Sequence, residues 1–159
     1  NYTEVYFFEP DEENFSTAKM TLNEFNNIKM YQLGLSNKKE QLKFSSSLGQ
    51  SSKIDISGSV SIYVDQYDSI VKGPVTFVKM DIEGAEGKAI EGMTESILKY
   101  HPIMAIAVYH KHNDFWKIPT QVLSIRDDYK IYVRHYTEGL GESVMYFVPK
   151  SELKNEIKK

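Results

Sequence analysis

The run IMAIAVY, Ile103 to Tyr109, limits what this chain can fold into more than any other stretch. Almost every residue is apolar, so neither face of the segment is suited to water. Central strands of parallel sheets read this way because helices cover both of their faces. A second stretch, VTFVKMDIEGAEGKAIEGM from Val75 to Met93, repeats the theme. An apolar strand, Val75 to Asp81, runs into carboxylates and glycines and then into a helix. In that helix Ala85, Ala89, Met93 and Ile97 share one face, with Ile90 and Leu98 beside them.

The remainder alternates in the same manner. EVYFFEP, Glu4 to Pro10, reads as a strand closed by Pro10. Asp11 is suited to cap the next helix, whose apolar positions Phe15, Ala18, Leu22 and Phe25 recur at spacings of three and four. Ile28 to Ser36 reads as a second strand. The polar, Ser-rich stretch from Asn37 to Ser59 reads as a loop carrying a small strand, Gln41 to Phe44. VSIYVDQYDSI holds another strand and then a turn. Pro119 is read as the start of a short helix over Thr120 to Ile125. Two final strands, about Lys130 to Tyr136 and Ser143 to Val148, flank TEGLGE and should pair antiparallel. Strand and helix in alternation argue for an α/β sheet with helices on both faces.

With 159 residues, 41% of them hydrophobic, the chain suffices for one domain, expected over residues 1–150 with a charged tail over 151–159. The net charge of -3 gives no electrostatic footprint for nucleic acid. No apolar run reaches membrane-spanning length, so no membrane partner is expected. The absence of cysteine excludes disulfides and thiolate chemistry and suits a cytoplasmic protein.

Ligands in open α/β sheets bind at the carboxyl ends of the strands. Three strands here end on polar residues, Glu9, Asp81 and His110, which a parallel sheet would line along one crevice. An acid at the position of Glu9 either accepts hydrogen bonds from ribose hydroxyls or simply ends a strand ahead of a helix. Lys79 and Asp81 are two apart, share a face, and either form a structural ion pair or serve a site. Glu83 and Glu86 fall at a helix start, where the dipole accounts for negative charge. Gly84, and also Gly87, would let the backbone turn close to a ligand. His110, His112 and Asp114 could share a metal, but a surface loop carries such residues equally well, and no metal is expected. His101 and His135 read as structural. The Gly139 and Gly141 pair reads as a hairpin turn.

FFEPDEENF, LGLSNKKE, VDQYDSI, VTFVKMDIEGAEGKAIEGM, HPIMAIAVYH and IP together resemble the FkbM family of S-adenosylmethionine-dependent methyltransferases, in the family's order from about residue 4 to about residue 148. KMDIEGAE is the most specific piece. The resemblance implies a Rossmann-like class I methyltransferase sheet, mainly parallel with an antiparallel last strand. It implies methyl transfer to a hydroxyl of a sugar, polyketide or other small molecule. Carried over by position, Glu9 would hold the ribose of S-adenosylmethionine, Ser36 and Asn37 would lie near its adenine, and Asp81 beside its methionine part and the acceptor. His110 and Lys79 are the candidates to orient or deprotonate the acceptor hydroxyl. The loop from Asn37 to Ser59, and Lys111 to Lys117 with Phe115 and Trp116, would shape the acceptor pocket. A homo-oligomer is possible.

The same resemblance exposes a departure. The family's glycine-rich loop belongs after a first strand, and no glycine precedes Glu9. The first strand, that loop and the first helix are therefore expected to lie outside this sequence, which would be a fragment that binds S-adenosylmethionine weakly or not at all. The alternative is a truncated, non-catalytic binding or assembly module of the same fold. A nicotinamide-dependent dehydrogenase using Glu9, and a metal hydrolase built on Asp81, His110 and His112, are the other readings.

Overall fold

A computed structural model describes residues 2–45, 53–54, 60–139 and 141–152. Strand β1 (Val5–Phe8) leads through Glu9 and Pro10 into helix α1 (Glu12–Thr21). The expected cap is in place: Asp11 Oδ1 accepts hydrogen bonds from the amides of Glu13 and Asn14, at 3.0 and 2.9 Å. The apolar face of α1 is only half covered. Phe15, Ala18 and Leu22 are partly buried, and Phe25 beyond the helix stays exposed.

Strand β2 (Ile28–Tyr31) pairs parallel with β1, Val5 opposite Ile28. The expected strand from Ile28 to Ser36 is broken by a bend at Gln32 and Leu33. Its second half, β3 (Gly34–Leu35), leaves β1 and β2 and pairs parallel with β6 (Val60–Asp65). Strand β6 also pairs antiparallel with β4 (Glu40–Ser45), which carries β5 (Lys53–Ile54) on its other side. The Ser-rich insert thus supplies β4 and β5 to a second four-stranded sheet, ordered β3-β6-β4-β5, with the flanking strands β3 and β6. Of the expected acceptor loop, residues 46–52 and 55–59 lie outside the described residues, as do residues 153–159 of the expected tail.

Helix α2 (Tyr67–Ile70) joins β6 to β7 (Phe77–Met80), and β7 leads into α3 (Glu86–Glu91) and α4 (Thr94–Tyr100). One helix is expected here, and the division falls at Gly92 and Met93. A Cβ at Gly92 would stand 2.0 Å from the carbonyl oxygen of Ser36, so the backbones meet where a side chain has no room. No side chain of its own caps α4, and Asp68 supplies the missing acceptor from α2. Its carboxylate takes the amides of Glu95 and Ser96, at 2.8 and 3.1 Å, and the Ser96 hydroxyl at 2.6 Å. Despite the break, Ala89, Ile90, Met93 and Ile97 are all buried, whereas Leu98 is exposed.

Strand β8 (Ile103–Ala107) lies within the apolar run IMAIAVY, and it is buried as expected. Helix α5 (Asp114–Ile125) begins well before Pro119 and carries that proline inside it. The Asp114 carboxylate accepts the amide of Lys111 at 2.8 Å, and the carbonyl of Asn113 receives the amide of Lys117 at 2.9 Å, so the first turn forms without help from proline. Strands β9 (Tyr129–His135) and β10 (Ser143–Pro149) form the expected hairpin. Strand β10 inserts antiparallel between β8 and β9, and the sheet runs β7-β8-β10-β9.

Among the described residues the fold is therefore α/β with mixed sheets. Parallel pairing joins β1 to β2, β7 to β8 and β3 to β6, while β4 and β10 pair antiparallel with each of their neighbours. One main core holds it together. Met80, Ile90, Met93, Ile97, Met104, Ile106, Val122 and Phe147 are buried there, and Tyr6 and Phe8 of β1 and Val78 of β7 pack against them. The Arg126 guanidinium and Asp128, with the αL-capping His101 and Tyr129, clamp the end of α4 at the start of this sheet. His101 is structural, as expected.

Candidate functional site

Alternation along β7 decides which groups reach the site. Val78 and Met80 turn into the core, while Phe77 and Lys79 turn outward, and Asp81 continues on the outward side. The predicted pairing of Lys79 with Asp81 is present but loose, with 3.7 Å between Nζ and Oδ2 and the lysine side chain largely exposed. After Asp81 the chain turns sharply. Glu83 and Gly84 both have positive φ, 55° and 89°, so a left-handed bend separates the strand from α3.

Glu86 holds this bend. Its carboxylate is almost fully buried, and Oε1 accepts the amide of Ile82 at 3.0 Å and that of Gly84 at 3.4 Å. Lys111 Nζ donates to the Gly84 carbonyl from the neighbouring strand end. The sequence gives Glu86 only the place of a dipole-stabilised acid at a helix start, so its role in the bend is what sequence reasoning missed. A signal existed. Ala89, Ile90, Met93 and Ile97 follow it by three, four, seven and eleven residues, which places Glu86 on the apolar stripe.

His110 follows β8, parallel to β7, and arrives beside the same bend. Its side chain is 7% exposed. Nε2 lies 3.5 Å from Asp81 Oδ1 and 3.6 Å from Glu83 Oε2, and Nδ1 lies 2.9 Å from Glu86 Oε1. The last contact is close but misaligned, for neither ring nitrogen has a partner in hydrogen-bond geometry. The Tyr109 ring packs on the imidazole at 4.2 Å, and its hydroxyl donates to Asp81 Oδ1 at 3.1 Å.

Charge and burial compete here. Burial disfavours the imidazolium of His110, but contact with Glu86 and the charges of Glu83 and Asp81 outweigh it and raise its pKa. Burial likewise works against ionised Glu86. Its contact with His110 and the Ile82 amide win, and hold the carboxyl below its ordinary value. Burial, with the Asp81 charge, pushes the Tyr109 phenol up to about 12, so it stays a donor.

Asp81, Lys79 and His110 are thus brought to one place, with Glu86 beneath them. The cluster stands between two concavities. On the helix side, a groove of about 890 Å³ runs from Glu83, His110 and Lys111 to Trp116, Lys117 and Gln121. On the other face, a hollow of about 270 Å³ is lined by Lys79, Asp81, Ala105, Ala107, Tyr136 and Tyr146. Trp116 is exposed along the groove.

The remaining expected residues lie elsewhere. Glu9 ends β1, and Oε1 accepts the amide of Asp11 at 2.8 Å while Oε2 has no hydrogen bond among the described residues. Burial, the largest influence, raises its pKa. No hydrogen bond or ion pair among the described residues joins Glu9 to Asp81 or His110. Ser36 is buried, its amide bonded to the Asp65 carbonyl at 2.9 Å, and Asn37 Nδ2 donates to Glu91 at 2.7 Å. Both sit against the end of α3. Asp114 is spent on the Lys111 amide, and no hydrogen bond or ion pair among the described residues joins His112 to His110. His135 meets Ser143 within the closing hairpin.

A family model described as the methyltransferase FkbM domain matches residues 1–137. A crystal structure of methyltransferase FkbM from Methylobacillus flagellatus KT superposes with a TM-score of 0.77 at 28% identity, covering 92% of this chain and 37% of that one. The chain thus spans little more than a third of that relative's length. No curated protein matches it. Among the described residues, no helix is long and apolar enough to cross a membrane.

Proposed function

The chain belongs to the FkbM methyltransferase family, and from that premise we propose that its residues 1–150 are the carboxyl-terminal part of an S-adenosylmethionine-dependent O-methyltransferase domain. The acceptor is a hydroxyl of a sugar, polyketide or other small molecule. The observation that carries the reading is the meeting of Asp81 and His110, 3.5 Å apart, at the carboxyl ends of two adjacent parallel strands.

S-adenosylmethionine, when bound, supplies an electrophilic methyl group on sulfur. The residues present fit part of such a ligand. Glu9 offers Oε2, which no other described residue engages, to a ribose hydroxyl. Ser36 and Asn37, against α3, are assigned to the adenine end. Asp81 and His110 orient the acceptor hydroxyl, and Lys79, exposed beside Asp81, offsets the negative charge there. His110 or Asp81 would take the acceptor hydroxyl's proton as its oxygen displaced the methyl group from sulfur. Holding the two reactants in line supplies much of the acceleration.

Two features support a domain that continues beyond this chain. Strands β1 and β7 each pair on one side only among the described residues, yet both pack on one core. The outward face of β7 leaves Phe77 exposed, and Tyr136 of the closing hairpin is exposed beside the same hollow. Unpaired edges and a bare apolar face call for a covering segment. Calorimetric titration of S-adenosylmethionine into this chain and into a longer polypeptide containing it tests both parts. Binding by the longer form and weak or absent binding by this chain is the expected result. Tight binding here refutes the fragment, and no binding by the longer form refutes the methyltransferase.

A further inference from the structure

We infer that Asp81, Glu86 and His110 form a binding site for one divalent transition-metal ion of the Mn²⁺ or Zn²⁺ kind, with Glu83 at its rim. One ligand atom from each of the three lies within 4.8 Å of the others. A metal with bonds of about 2.1 Å holds its ligands about 3 to 4.2 Å apart, so closure asks for shifts of up to about 1 Å in each side chain.

Proximity of acids alone would prove nothing. The second observation is the state of the buried atoms. Among the described residues, four buried side-chain polar atoms lack a hydrogen-bond partner, and three of them are here: Glu86 Oε2, His110 Nδ1 and His110 Nε2. The Glu86 and His110 side chains are 1% and 7% exposed, so bulk water does not satisfy them. A buried polar atom without a partner costs about 1 to 3 kcal/mol, and native interiors seldom tolerate several together. Nε2 also faces two carboxylates at 3.5 and 3.6 Å, beyond hydrogen-bond reach. A proton on Nε2 finds neither carboxylate in hydrogen-bond geometry, and with the proton gone the lone pair faces both. A cation between these groups takes up the Nε2 lone pair, the spare Glu86 oxygen and the Asp81 charge at once.

The donor set selects the ion. Carboxylates alone favour Mg²⁺ or Ca²⁺, whereas an imidazole beside two carboxylates favours Mn²⁺, Fe²⁺ or Zn²⁺, and no thiolate is present to demand a softer metal. Glu86 also has the rigidity a ligand needs, because Oε1 is fixed by the amides of Ile82 and Gly84 while Oε2 remains free. The open sides of the cluster face the groove and the hollow, where an acceptor oxygen would complete the coordination; with the ion bound, Asp81 and His110 hold it, and the more acidic hydroxyl gives its proton to solvent. That purpose rests on the methyl-transfer reading, while the binding of the ion does not.

Chain stripped with EDTA and titrated with MnCl₂ at pH 7.5, followed by the loss of the free-ion paramagnetic resonance signal, should take up one ion per molecule. Asp81→Asn and His110→Asn should each weaken uptake at least about tenfold, and His112→Asn should leave it unchanged. Asp81 is a third exposed and holds no backbone group, so its variant keeps the test valid if His110→Asn fails to fold. Absence of saturable uptake, or equal uptake by Asp81→Asn, overturns the inference. Because no S-adenosylmethionine is present, that outcome leaves the titration of the longer protein to judge methyl transfer separately.

Discussion

Replacing Glu86 with alanine strips the bend after β7 of its central acceptor. The Ile82 amide loses a 3.0 Å bond and the Gly84 amide a weaker one at 3.4 Å. At about 1 to 3 kcal/mol for each buried donor left unmet, the strong bond accounts for about 2 kcal/mol and the long one for less. The buried His110 also loses its nearest counter-charge, at 2.9 Å, which adds about 1 kcal/mol or more. The sum is about 3 to 4 kcal/mol, a large share of the roughly 5 to 15 kcal/mol that stabilises a domain. Glu86→Gln keeps an oxygen for the Ile82 amide and loses only the charge, and should cost about 1 to 2 kcal/mol. Urea unfolding followed by far-ultraviolet circular dichroism, with EDTA present so that no metal contributes, reads both. With a slope near 2 kcal/mol per molar, the midpoint should fall by about 1.5 to 2 M for alanine and by about 0.5 to 1 M for glutamine. An alanine midpoint within about 0.3 M of the parent would refute the claim that Glu86 holds the bend.

Two further perturbations probe separate parts of the account. Gly92→Ala would drive a methyl group to 2.0 Å from the Ser36 carbonyl, backbone against backbone, and should cost about 3 kcal/mol in the same unfolding assay; an unchanged midpoint would mean that α3 does not press on β3. The Arg126 guanidinium beside Asp128 holds that carboxyl down at about 2, below the ordinary value of 3.8. The stabilisation from a depressed carboxyl is complete above the unfolded value and lost as pH falls through the folded one. The advantage of the parent over Asp128→Asn should therefore be constant above about pH 5 and shrink between about pH 4 and pH 2. A gap that stays constant down to pH 2 would dismiss the clamp as a pH-dependent contact.

Much of this fold could be read from local chemistry. Asp11 is followed by acids and an apolar period, and it caps α1 as that pattern requires. IMAIAVY could only be a strand covered on both faces, and the glycine-containing turn before Ser143 could only close a hairpin. The departures come from contacts between distant residues. Nothing near Gly92 announces that the Ser36 carbonyl will arrive there, and that contact accompanies the break between α3 and α4. The bend at Gln32 carries β3 to β6, on the far side of the insert, and a pairing partner so remote leaves no local period. Pro119 was read as a helix start because proline favours that place. The helix begins earlier, where Asp114 and Asn113 organise the first turn.

The site was legible to the same degree. Asp81 and His110 were named from their positions at strand ends, and the parallel pairing of β7 with β8 brings them together. Glu86 was passed over because a helix start explains an acid cheaply, although the apolar stripe pointed inward. Glu9 belongs to a different pair of strands, and no hydrogen bond or ion pair among the described residues ties it to the others.

The central claim is that Glu9, the Ser36 and Asn37 pair, and the Asp81 to Glu86 bend with His110 serve one bound S-adenosylmethionine and its acceptor. Amide chemical-shift mapping of the longer protein during titration with S-adenosylmethionine tests it most directly. Shifts concentrated at residues 9–11, 36–37, 81–86 and 109–111 are the predicted result. Shifts confined to other segments, or none at saturating ligand, would contradict it.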